Sequence, residues 1–182
     1  MKKFLGIMGM MLLFTITLAS CSNDDDGGGG NYTTEQLVGT WEVVSAQGVC
    51  DLEVYTDNGY ETYENYQFNV TFNKSYQSGD EVYNELYERF YNRLEFTKDK
   101  LYDYYYVTDD NGTQWVKDKY GLAYEIINNK IYTNDKDEYG DDIHAISIKY
   151  LSKDKMVLIM NEHALEEDGT GHSVDVTLKR IE

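Results

Sequence analysis

The sequence predicts a mainly β domain: a small up-and-down antiparallel β-barrel with one inserted helix. Three observations point there. Apolar and polar residues alternate with period two through most of residues 32–182, short turn signals recur between the alternating stretches, and one segment, within "SGDEVYNELYERFYNR", switches to a period near four. Proline is absent from all 182 residues, so it cannot blunt an exposed strand edge, and closing the sheet on itself removes the edges instead.

In chain order, Lys2 and Lys3 precede the apolar run "FLGIMGMMLLFTITLA", Phe4 to Ala19. This run is short against the ~20 apolar residues of a spanning helix. A basic start, an apolar middle and a small-residue exit at Leu18, Ala19 and Ser20 predict a secretory signal peptide over residues 1–20. Residues 21–31, "CSNDDDGGGGN", join three hydrated aspartates to four glycines and cannot bury enough surface to order themselves. They read as a linker, whose roughly ten residues reach about 17 Å. The domain follows over 32–182.

Within it, "TWEVVSAQ" places Trp41, Val43 and Ser45 on one side, and "YQFNVTFN" places Tyr66, Phe68, Val70 and Phe72 opposite Gln67, Asn69, Thr71 and Asn73. "HAISIKYL" does the same for Ile146, Ile148 and Tyr150, and "SVDVTLKR" for Val174, Val176 and Leu178. Turn residues fall at 57–59, 98–100, 110–112, 128–129, 152–155 and 167–171. The exception to period two is a helix over Gly79–Asn92: Ser78 and Glu81 have capping-box spacing, and Val82, Leu86 and Phe90 recur four apart beside Tyr83, Tyr87 and Tyr91. That stripe packs on the barrel or meets a partner.

Charge excludes some functions. The 33 acidic and 16 basic side chains give −17, and removing the two leader lysines makes it −19, so nucleic acid and anionic lipid are disfavoured as partners. Only Cys21 and Cys50 occur, and Cys50 reads as a small apolar core residue.

Two resemblances follow from these residues. Leu18, Ala19 and Ser20 before Cys21 resemble the lipobox of bacterial lipoproteins, which implies cleavage before Cys21, acylation of it, and a protein tethered to a membrane by its fatty chains. An ordinary secreted protein with an incidental Cys21 is the alternative. Acidic residues just after the cysteine resemble the signal that carries some lipoproteins to the outer face of the outer membrane; a solvated spacer explains them equally well. The stretch "LVGTWEVV", with Gly39 and Trp41 after a short helical turn at 34–38, resembles the opening of lipocalin-type barrels. "LEFTKDKLYDYYY", "YEIINNKIYTND", "ISIKYLSKDKMVLIM" and "VDVTLKRIE" resemble the later strands of the lipocalin-like domain of small bacterial lipoproteins, while residues 48–93 depart from it. The resemblance implies that Arg180 on the last strand packs over Trp41, a structural role with Gly39.

The sequence carries no nucleophile elbow, phosphate loop or paired-carboxylate signature, so no enzyme activity and no cofactor are expected. "DKDEYG", Asp135 to Gly140, begins like a calcium loop but has Tyr139 at the fifth position and Ile146 at the twelfth. His144, His163, His172 and Glu162 form no dense zinc motif, so no metal is expected either. What remains is 18 tyrosines. The first expectation is a small apolar or aromatic ligand in the barrel mouth, lined by Tyr102, Tyr104, Tyr106, Tyr124 and His144. The second is a protein or glycan partner held by outward tyrosines and the helix, as in an accessory or inhibitor lipoprotein.

Overall fold

The computed structural model describes residues 30–72, 79–109, 112–134, 146–162 and 172–182. They form a closed antiparallel barrel. A short helix α1 (Thr34–Leu37) leads into β1 (Gly39–Thr56), β2 (Gly59–Thr71), helix α2 (Glu81–Phe90), β3 (Arg93–Phe96), β4 (Lys100–Asp109), β5 (Gly112–Lys117), β6 (Leu122–Ile127), β7 (Lys130–Thr133), β8 (Ile146–Leu151), β9 (Lys155–Glu162) and β10 (His172–Arg180). β10 pairs back onto β1, from Trp41 opposite Arg180 to Gly48 opposite Val174, and this ladder closes the wall.

Ten strands occupy eight barrel positions. β1 pairs with β10 along one edge, so β2 (at Ser45–Thr56) and β3 (at Gly39–Glu42) share the other edge. In the same way Leu101 of β4 lies between Phe96 of β3 and Leu122 of β6, and Tyr104 between Arg93 of β3 and Lys117 of β5, so β5 and β6 follow one another along one edge of β4. The result is an up-and-down antiparallel barrel. Helix α2 connects β2 to β3 and turns Tyr83, Leu86, Tyr87 and Phe90 into the core. Its N-cap is Asp80, whose carboxylate accepts the Tyr83 N–H at 2.9 Å, while Ser78 of the expected capping box lies outside the described residues.

The apolar parity of the strands lines the interior. Val174, Val176 and Leu178 are buried, as are Trp41, Val43, Ala46, Cys50, Leu52 and Val54 of β1 and Phe68 of β2. Two expectations change. The register of β1 shifts between Val43 and Ser45, so Val43 and Ala46 are both buried and Ser45 leaves the inner set. β8 shifts between Ile148 and Tyr150 and leaves Tyr150 exposed. Each bulge inserts one residue and flips the parity beyond it.

One end of the barrel is closed. There the Trp41 indole N–H donates to the Leu37 carbonyl at 2.8 Å and the Arg180 guanidinium covers the ring at 4.1 Å from its centre. The guanidinium donates to the carbonyls of Val38, Gln36 (2.7 Å) and Lys153 (2.6 Å). Gly39 makes this possible: a Cβ there would lie 2.7 Å from the Glu182 carbonyl and against the guanidinium, and its φ of +139° suits glycine. The turns at 97–100, 128–129 and 152–155 lie at this end, as does the entering chain, where Asn129 accepts the Tyr32 N–H at 2.8 Å and donates to the Gly30 carbonyl at 2.9 Å. Among the described residues, no helix is long and apolar enough to cross a membrane.

Candidate functional site

Above the closed end the barrel holds a cavity of about 290 Å³. Its walls are the inward residues of seven barrel positions: Val43 (β1), Leu94 (β3), Leu101 (β4), Leu122 (β6), Ile146 (β8), Leu158 and Met160 (β9), and Val176 and Leu178 (β10). Phe90 of α2 joins them, stacked on Phe68 at 5.5 Å. Arg89, Asn92, Asp103 and Thr133 supply the polar groups. An apolar chamber with a few convergent polar groups is the usual form of a small-molecule site, and this volume stands at the lower end of the ~300–1,000 Å³ range.

Asp103 borders both this cavity and a groove outside it. Its side chain reaches solvent by area, yet the carboxyl itself lies partly out of water, and this desolvation, then the neighbouring Asp118, raises its pKa above the ordinary 3.8. The Asn92 amide, 3.5 Å away, opposes the rise.

The tyrosines of β4 do not line the cavity. Leu101 and Asp103 turn inward, so Tyr102, Tyr104 and Tyr106 stand on the outer face, one residue out of phase with the expectation for the mouth. Tyr104 donates to Glu95 at 2.6 Å, Lys117 bonds the same carboxylate at 2.7 Å, and the lysine ammonium lies 3.8 Å above the Tyr102 ring. The lysine bond and then the Tyr104 bond hold Glu95 below its ordinary pKa, while burial and then Glu95 push the Tyr104 phenol up to about 12. Tyr106 packs edge-on to Trp115 at 4.6 Å, and Tyr91 at the end of α2 meets both rings. Phe72, Tyr83 and Tyr87, all buried, continue this aromatic cluster along the helix. Arg93 caps it, 4.8 Å from the centre of the Trp115 ring and 2.6 Å from Glu42. Tyr102, Tyr104 and Tyr106 thus belong to the outside of the wall, and Tyr83, Tyr87 and Tyr91 are buried.

Tyr124 does point inward, but toward the closed end: it meets Phe96 at 5.4 Å and donates to the Thr97 carbonyl at 2.7 Å, and burial raises its pKa to about 12. His144 and His163 lie outside the described residues, as do Cys21 and the calcium-like stretch 135–140. His172 bonds Asn65 at 2.9 Å and lies 3.7 Å from Asp51. Among the described residues no three His, Cys, Asp or Glu side chains converge on a point. Nothing in "KLYDYYYV" singles out the inward leucines or the Asp103–Asn92 pair, because it carries tyrosine at both parities. The one signal available was Leu101, which shares its parity with Asp103.

Between the C-terminal turn of α2 and β4 runs a groove of about 530 Å³ lined by Tyr87, Tyr91, Tyr104, Tyr105 and Tyr106 with Glu88, Arg89, Asn92 and Asp103. Tyr105 is 54% exposed and Tyr106 38%.

No protein-family model matches this chain, and no curated protein matches it. Among solved structures, a complex of bovine odorant binding protein with a selenium-containing odorant is similar at 14% identity and a TM-score of 0.38, over 87% of this chain and 78% of that one.

Proposed function

We propose that this chain is a non-catalytic, lipid-anchored binding protein that holds a small apolar or aromatic molecule inside its barrel. The cavity walled by Leu94, Leu101, Leu122, Leu158, Val176 and Leu178 carries this reading. Its apolar walls favour a ligand by the hydrophobic effect, and Asn92, Asp103 and Thr133 can orient one polar group of that ligand. The anchor is acylated Cys21 in the outer membrane, with the domain at the cell surface or facing the periplasm. Asn129 holds Gly30 and Tyr32 at the closed end, which supports a tether that leaves opposite the cavity.

The test is native mass spectrometry of the full chain, extracted in detergent from its own membranes, together with titration by the apolar fluorophore N-phenyl-1-naphthylamine. A retained small molecule, and fluorophore binding lost in Leu158→Trp, are the expected results; unchanged binding in a folded Leu158→Trp protein refutes the cavity as the site. Labelling with radioactive palmitate, lost in Cys21→Ser, checks the anchor separately.

The outward tyrosines favour a second reading, a protein- or glycan-binding accessory or inhibitor that uses the groove beside α2.

A further inference from the structure

β4 leaves part of its backbone open. It pairs with β3 through Tyr104, and among the described residues no strand pairs with that edge beyond it. The direction of the backbone groups there follows from the ladder. The Asp103 carbonyl accepts the Asp118 N–H at 2.8 Å on the β5–β6 side, and the Lys100 carbonyl accepts the Thr97 N–H at 2.8 Å on the β3 side. In an antiparallel ladder these directions alternate, so Tyr106 and Thr108 turn their N–H and C=O groups toward the open edge. The five residues 105–109 span about 17 Å. Lysine and proline, which commonly guard such an edge, are absent from 105–109.

The groove beside α2 runs along this edge, with Tyr105 and Tyr106 exposed in it. It also carries Glu88, Asp103 and Arg89, whose guanidinium donates to the Asp51 carbonyl at 2.6 Å, on a chain of formal charge −17.

We infer that the open edge of β4 takes up an extended, basic peptide segment of a partner protein as an added antiparallel strand. The Tyr106 and Thr108 backbone groups form the ladder, the tyrosines pack on alternate peptide side chains, and the acidic groups of the groove and of the whole surface attract lysine or arginine. The inference rests on the second reading above and deepens it by naming the partner's chemistry and the backbone it pairs with.

Hydrogen exchange of the full chain in detergent micelles tests this with three decapeptides: alternating Lys-Val, alternating Lys-Pro of equal charge, and alternating Glu-Val. The Lys-Val peptide is expected to bind and to slow exchange of the Tyr106 and Thr108 amides by roughly tenfold or more. The Lys-Pro peptide, whose prolines fix φ at about −65° and hold it in a polyproline II form unsuited to the ladder, and the acidic peptide are expected to leave those amides unprotected. Thr108→Pro removes one edge donor where an edge strand tolerates proline, and is expected to weaken Lys-Val binding. If that variant does not fold, the exchange pattern of the natural chain decides alone. Lys-Val binding without protection at 106 and 108, equal binding by Lys-Pro, or protection of these amides by a second copy of the chain overturns the inference. Binding of oligosaccharides with no peptide binding also overturns it and leaves the second reading standing; binding of neither overturns both.

Discussion

The guanidinium carbon of Arg180 lies 4.1 Å from the centre of the Trp41 ring, and the β1–β10 ladder sets these two residues directly opposite one another. The contact joins the first barrel strand to the last, where the sheet must close. Burial lowers the Arg180 pKa, and three carbonyls compensate its desolvation. Arg180→Ala is therefore expected to cost about 2 to 3 kcal/mol in denaturant unfolding. Arg180→Lys should recover less than half of that, because an ammonium cannot reach three carbonyls in a planar fork. Equal stability of the lysine variant and the natural chain would contradict this account.

Gly48 stands opposite Val174, the last pair of the β1–β10 ladder. A Cβ at this position would lie 2.3 Å from the Ser173 carbonyl oxygen and 2.8 Å from the Val174 Cα, both backbone atoms that cannot turn aside. Gly48→Ala should therefore cost about 3 kcal/mol or more, read as a fall in the denaturation midpoint.

Asp103 binds its proton more tightly in the folded barrel than in the unfolded chain. An acid raised in this way costs stability once pH rises past its ordinary value of 3.8, and costs nothing below it. Asp103→Asn is thus expected to stabilise the protein at pH 7 and to leave it unchanged at pH 3. Unfolding curves at the two pH values decide, and an equal gain at both would assign the effect to packing.

Glu95 is shifted the other way, held low first by Lys117 and then by Tyr104. Its contribution is present above the ordinary value of 4.5 and is lost as pH falls through the lower folded value. Lys117 is more than a third exposed, so Glu95→Gln should cost at most about 1 kcal/mol at neutral pH, less in high salt, and progressively less as the pH falls through the acid range. Melting temperatures across this range would check the sign.

Reading inside from outside along a strand requires knowing where the sheet closes, and this limited what residues 100–109 could say. Tyr102, Tyr104 and Tyr106 are as apolar as the inward set, and what covers them on the outside comes from distant segments: Lys117 and Trp115 from β5, Tyr91 from the end of α2. The shifts after Val43 and Ile148 carry no glycine or proline to mark them, so the expected faces of Ser45 and Tyr150 were continued one residue too far.

By itself the sequence determined the β class, the turns at 57–59, 98–100, 128–129 and 152–155, and a helix within 79–92, because these depend on periodicity and on residues a few positions apart. The tertiary structure alone decided that α2 turns Phe90 onto the cavity, that Leu101 and Asp103 rather than the tyrosines of β4 face it, and that β4 keeps an open edge beside the helix. Those outcomes depend on which strands become neighbours, and residues far apart in the chain choose their neighbours only when the barrel closes.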